Sequence, residues 1–181
     1  MKFVCFKAKP VKIFLCLLTA VLVFALIINQ TATAGVYFGY GARKVPIYAV
    51  ETDTKKISIT FDAAYGSEET QKIINILKEK NVTATFFLVG FWVEKYPEMV
   101  KALDEAGIEI GTHSNTHPYM SKLSAEQMQA ELSTSIEKIK AITNKDVKLF
   151  RPPYGDYNDT LISVCDNMGI KAIQWSVDSL D

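Results

Sequence analysis

Five strand-like runs recur along this sequence, and a helix-like stretch separates each from the next. The runs are "KISITF" (56–61), "VTATFFLVG" (82–90), "IEIGTH" (108–113), "VKLF" (147–150) and "IKAIQW" (170–175), rich in β-branched and aromatic residues. After the first run, Ile73, Ile74, Ile76 and Leu77 share one helical face between Glu68 and Lys80. Phe91 to Ala106 reads as helix, interrupted at Pro97 and ended by Gly107. Ser124 opens a long helix to about Ala141, with Glu126 and Gln127 in the first turn as a cap prefers. Asn158 to Met168 is the last helix, and Gly169 ends it. No hairpin signal joins any two runs. Repeated β–α alternation of this kind predicts an α/β fold, a parallel sheet with helices outside it. The chain stops at Asp181, directly after the fifth run. A barrel needs more strands, and an open sheet ending there would bare an edge. The expectation is a domain truncated at its C-terminus.

The first residues have a different character. Lys2, Lys7, Lys9 and Lys12 form a positive run without an acid, and the apolar stretch Ile13–Ile28 follows. Ala32-x-Ala34 then offers a small-residue cleavage pattern, so 1–34 reads as a secretory signal. From Val11 the run is also long enough to serve as an uncleaved membrane anchor. Either way the positive flank stays inside and the remainder is exported, which predicts an extracytoplasmic protein, secreted or tethered to the membrane. Residues 35–55 read as a linker with one short strand near Ile47, and 56–181 as the folded domain. Formal net charge is 0 and no basic block stands out, which excludes nucleic acid as a partner. Of the 3 cysteines, Cys5 and Cys16 fall in the leader, so Cys165 has no partner and reads as a small core residue.

Sites in parallel α/β folds form at the C-terminal ends of strands. Four such ends are polar here. The first run leads to Asp62, and the third to "THSNTH" with both histidines, His113 and His117. The fourth leads to "RPPYG" from Arg151 to Gly155, and the fifth to "WSVDSLD" with Trp175, Asp178 and Asp181. Each alone has an ordinary structural explanation. Together they meet on one face of a barrel. His113-x-x-x-His117 lets two imidazoles converge on one ion if the segment curls, and imidazole suits zinc, cobalt or nickel. Asp62 would then serve as the base toward a water. Arg151 would pair with Asp62 and aim it. The backbone N–H beside Tyr154 would donate to an oxyanion. These parts together describe metal-assisted hydrolysis of an amide or ester.

"TFDAAYG", "HSNTH", "RPPYG" and "DSLD" resemble, in order and spacing, the first four motifs of the polysaccharide deacetylases with a NodB-type domain, carbohydrate esterase family 4. The "TFDAA" variant and the N-terminal segment are most similar to sporulation deacetylases of the PdaB type. The resemblance implies a distorted (β/α) barrel, incomplete at the C-terminus, that removes N-acetyl groups from peptidoglycan or a chitin-like cell-wall glycan with a divalent metal. It implies metal ligation by His113 and His117, Asp62 as base, Arg151 as the residue that tunes it, and Tyr154 as the oxyanion contact. Trp175 is taken with the substrate-binding residues. Asp181 matches the acid that orients a histidine of a fifth motif. The family pattern reads Asp-Asp at its first motif, the second Asp being the third metal ligand, and here that position is Ala63. The expectation is therefore a weakly bound metal. The alternative is a pseudoenzyme of the same fold that binds glycan without turnover.

Overall fold

The computed structural model describes residues 16–23 and 43–179. The chain divides into two compact units, Met1–Arg43 and Lys44–Asp181. In the first, residues 16–23 are helical, and most of the signal or anchor segment lies outside the described residues. No helix among the described residues is long and apolar enough to cross a membrane.

Among its described residues the second unit carries five strands with helices between them, five α-helices in all, two of which lie between the second and third strands. These are β1 (Ile59–Ala63), α1 (Thr70–Lys80), β2 (Ala84–Leu88), α2 (Gly90–Lys95), α3 (Pro97–Glu105), β3 (Glu109–Thr112), α4 (Ala125–Thr143), β4 (Leu149–Phe150), α5 (Asp159–Met168) and β5 (Lys171–Ala172). Pro97 starts α3, where its missing N–H has no intrahelical partner to lose. Ser124 and Gln127 cap α4 reciprocally, side chain to backbone, as their spacing predicts. The Asn158 side chain accepts from Leu161 N–H to cap α5.

All strand pairs are parallel, and the order is β1-β2-β3-β4-β5. Strictly sequential order belongs to a barrel wall; a doubly wound sheet reverses at a switch point. Among the described residues the sheet stays open, with β1 paired to β2 alone. A cavity of about 750 Å³ opens beside β1, and Ile57 and Ile59 are exposed near it. The opposite edge differs from the sequence reading of a bare fifth strand. Ile47 N–H donates to the Ala172 carbonyl and Gln174 N–H to the Ile47 carbonyl, at 2.9 and 2.8 Å, so the linker segment covers β5.

Strand alternation divides the sheet into two chemistries. Phe86 and Leu88 face the helices and join a core with Ile74, Trp92, Val100 and Leu103. Phe61 stacks on Phe86 with ring centroids 4.7 Å apart. A second cluster under α4 and α5 takes Leu132, Phe150, Leu161 and Cys165. Burial there pushes the Cys165 thiol up to about 12, as suits a packing residue. The alternate positions Thr60, Asp62, Phe87 and Gly111 face the other way. Phe87 and Gly111 are register partners, and the buried ring lies across the glycine. A Cβ at Gly111 would meet the Phe87 ring at 2.6 Å and the Leu149 carbonyl at 3.0 Å. Gly111→Ala should therefore cost about 1–3 kcal/mol by overpacking. A urea midpoint equal to wild type would show that the Phe87 ring moves aside freely.

Candidate active site

Asp62, His113, His117, Arg151 and Tyr154 come from three separate motifs, and the fold brings them together. Asp62 is not past the strand end: it is the fourth residue of β1, two after Thr60 and on the same face. Arg151 follows β4 and is 4% exposed. Its Nη1 donates to Thr60 Oγ1 at 2.8 Å and to Asp62 Oδ1 at 2.9 Å. Nη2 donates to the Gln174 carbonyl at 3.4 Å. The guanidinium lies over the Phe87 ring at 4.3 Å. Aromatic face and fixed donors together restrict the fork to one plane, which lysine would not reproduce.

The same residue fixes a histidine through its backbone. His113 Nδ1 is 2.7 Å from the Arg151 carbonyl. A carbonyl only accepts, so Nδ1 carries the proton and Nε2 keeps its lone pair. Nε2 stands 3.8 Å from Asp62 Oδ2. Burial lowers the His113 pKa below its ordinary 6.5, with the Asp62 charge opposing. The contact at neutral pH is thus between neutral imidazole and carboxylate. His117 is also lowered, first by desolvation, again against Asp62.

The His113–His117 segment curls tightly. Ser114 (φ 69°) and His117 (φ 61°) adopt left-handed backbone conformations, each costing on the order of 1 kcal/mol or more for such residues. The imidazole centroids lie 5.0 Å apart, close to the separation of about 5 Å that two imidazoles sharing one tetrahedral ion adopt. His117 Nδ1 is buried without a hydrogen-bond partner. A hydrogen-bonded Nδ1–H on His113 and an orphaned nitrogen on His117 fit two ligands of a divalent cation. Among the described residues no cluster of three or more His, Cys, Asp or Glu completes such a site. Residue 63 is Ala, half-buried against the first core cluster and lining the cavity beside β1.

Tyr154 is left-handed (φ 59°) within the turn Pro153–Gly155. Its ring meets His117 edge-on at 4.7 Å and stacks on Tyr119 at 4.2 Å. Trp175 borders the cavity, 5.7 Å from the Arg151 guanidinium. Asp181 lies outside the described residues.

Sequence reasoning found the helix opened by Ser124 but missed that it backs the histidine loop. On α4, Glu131, Ser135 and Lys138 are spaced i, i+4, i+7 and share a face. Ser135 Oγ hydrogen-bonds Thr112 Oγ1, and Lys138 Nζ donates to Asn115 Oδ1 at 2.7 Å. Glu131 takes the amides of Asn115 and Thr116. The signal was present as a polar stripe beside the apolar stripe Met128, Leu132 and Ile139. It passes for a solvated face until the loop is seen against it. Gly90 completes the seat, since a Cβ there would stand 3.0 Å from Asn115 Cα.

Comparison with known proteins places the chain. The polysaccharide deacetylase family profile matches residues 49–173. Peptidoglycan-N-acetylmuramic acid deacetylase PdaA of Bacillus subtilis is 35% identical over 135 residues, covering 74% of this chain and 51% of the relative. The structure of a wild-type carbohydrate esterase family 4 pseudoenzyme from Bacillus anthracis aligns with TM-score 0.74 and 36% identity, over 76% of this chain and 49% of that one. A mutant pseudoenzyme of that family with restored enzymatic activity aligns with TM-score 0.74 and 38% identity, over 76% of this chain and 50% of that one. The α/β architecture is thus that of the NodB-type barrel. The chain spans about half the length of the curated relatives it matches.

Protonation of His113 has a stability consequence. Its folded pKa is depressed, so between that value and 6.5 the unfolded chain binds the proton and the folded one does not. This contribution to stability is intact above pH 6.5 and is lost as pH falls below it, by at most about 1.4 kcal/mol per pH unit for one histidine. Melting temperatures from pH 7.5 to 5 should decline less steeply in His113→Gln than in wild type. Parallel curves would show that His113 carries no such linkage.

Proposed function

The chain belongs to the polysaccharide deacetylase family, and from that membership we propose that it hydrolyses N-acetyl groups on a peptidoglycan-type cell-wall glycan. The observation that carries this reading is the fixed triad Asp62–Arg151–His113, together with the orphaned His117 nitrogen. Water attacks the acetyl carbonyl, the C–N bond breaks, and acetate and a free amine leave. Asp62 accepts the proton of the attacking water and returns it to the departing nitrogen, which leaves as the amine. Arg151 holds that carboxylate in place. His113 and His117 would hold a divalent metal, zinc, cobalt or nickel, whose chemistry there would be polarisation of the carbonyl and a more acidic water. The Tyr154 backbone N–H donates to the oxyanion, and Trp175 lines the substrate side. Asp181 matches the acid that, in the family pattern, orients a histidine of the fifth motif. Export by residues 1–34, attachment to the membrane through them, and a role in the spore envelope belong to this proposal. The Lys-rich, apolar N-terminus and the likeness to sporulation deacetylases support those parts.

Ala63 favours a second reading, a glycan-binding pseudoenzyme one ligand short. The likeness to a pseudoenzyme, and to a mutant pseudoenzyme with restored activity, supports it. The two are separated by acetate release from N-acetylated peptidoglycan with the full chain and each metal. Turnover by wild type, reduced about 10²–10⁴-fold in Asp62→Asn, is expected for the enzyme. No turnover by wild type but turnover by Ala63→Asp identifies the pseudoenzyme. Full activity of Asp62→Asn would remove Asp62 as the base.

Metal affinity is a separate measurement. Ala63→Asp should tighten zinc or cobalt binding by about 10–100-fold, the scale of one lost or regained partner at such sites. The metal-free variant should melt lower, since the new carboxylate stands against the apolar cluster at residue 63. Calorimetric titration and thermal melting read both. Binding unchanged in Ala63→Asp, or equal in wild type and His113→Ala, would overturn the two-histidine assignment.

A further inference from the structure

We propose that Glu131, a half-buried residue of α4, is the positioning residue that holds the His113–His117 loop in its curled form. Its Oε2 accepts from Asn115 N–H at 2.9 Å and Thr116 N–H at 2.8 Å. Its Oε1 accepts from Thr116 Oγ1 at 2.7 Å. One carboxylate therefore takes up both central amides of the five-residue loop and its one free hydroxyl. An ionised carboxylate is the only side-chain group that can accept all three at once without offering a donor. The left-handed residues Ser114 and His117 lie on either side of these two amides. Without an acceptor there, the amides would turn toward water and the loop would relax to ordinary backbone angles, carrying His117 away from His113.

The remaining contacts cannot substitute for Glu131. Gly90 N–H and Phe91 N–H donate to the Ser114 and Asn115 carbonyls at 2.9 and 3.2 Å, which fixes the carbonyl side only. Ser114 Oγ accepts from His117 N–H at 3.0 Å, a bond internal to the loop. Lys138 donates to the Asn115 side chain and pairs with Glu94 at 3.0 Å, so it anchors Asn115 but not the amides. Glu131 alone links the loop amides to a long helix whose buried face is locked into both core clusters.

The inference rests on the two-histidine reading only in what the curled loop is for. Its test is made first without metal, on the full chain, with wild type, Glu131→Gln, Glu131→Ala and, as a control, Lys138→Ala. Amide exchange at Asn115 and Thr116, and ¹⁵N spectra of the two imidazoles, are recorded well below each melting temperature. Glu131→Ala should speed exchange at both amides and split or shift the His117 imidazole signals, with circular dichroism unchanged. Glu131→Gln keeps the shape but turns an amide donor toward the loop, so it should fall between. Lys138→Ala should leave both amides protected. Unchanged exchange and unchanged imidazole spectra in Glu131→Ala overturn the proposal. Cobalt(II) titration is the second arm, with an expected loss of about 10-fold or more in affinity in Glu131→Ala. Wild type that binds no cobalt would refute the metal reading, while the clamp would still stand or fall on the metal-free spectra.

Discussion

The buried guanidinium of Arg151 is the interaction on which the site depends. An arginine removed from water must be paired and hydrogen-bonded, or its burial is prohibitive. Here Asp62, Thr60, the Gln174 carbonyl and the face of Phe87 serve the two terminal nitrogens and the guanidinium plane, while Nε is buried without a hydrogen-bond partner. Those four partners lie on β1, on β2 and just after β5. Satisfying one cation therefore ties together both sides of the sheet. The Arg151 carbonyl then sets the tautomer of His113. One residue thus orients the acid from its side chain and the imidazole from its backbone.

That dependence explains the size pattern of the inner face. The Phe87 ring can lie flat beneath the guanidinium only because its register partner is Gly111. A side chain at that position would push the ring upward into Arg151. The sheet's helical side follows different rules, with ordinary apolar packing in two clusters. Period-2 alternation is what separates the two. Thr60 and Asp62 share the face of Phe87 and Gly111, while Phe61 is turned to the core.

Much of this was legible in the sequence. Alternation of strand and helix signals, the cap at Ser124, the break at Pro97 and the stops at Gly107 and Gly169 all rest on local chemistry, and local chemistry decides them. Convergence of Asp62, His113, His117 and Arg151 followed from strand ends sharing one face. Three features were not legible. Asp62 sits within β1 because pairing to Phe87, a long-range fact, extends the strand. The short strand expected near Ile47 is present as a β-bridge, but its place over β5 rests on two backbone hydrogen bonds that carry no side-chain signature. Glu131, Ser135 and Lys138 look like an exposed face, because the partner that makes them a wall lies fifteen or more residues earlier.

Ala63 then has a limited meaning. Asp62 and His113 are fixed by Arg151, and the curl of the loop by Ser114 and Glu131. None of these contacts passes through the side chain at 63, which meets only the apolar cluster and the cavity. The side chain at 63 therefore has no part in holding these groups. In the reading proposed above, either alanine or a carboxylate at this position would leave the Arg151–Asp62 pair and the His113 tautomer in place. In that reading, a carboxylate introduced at residue 63 would meet side chains that are already held in place.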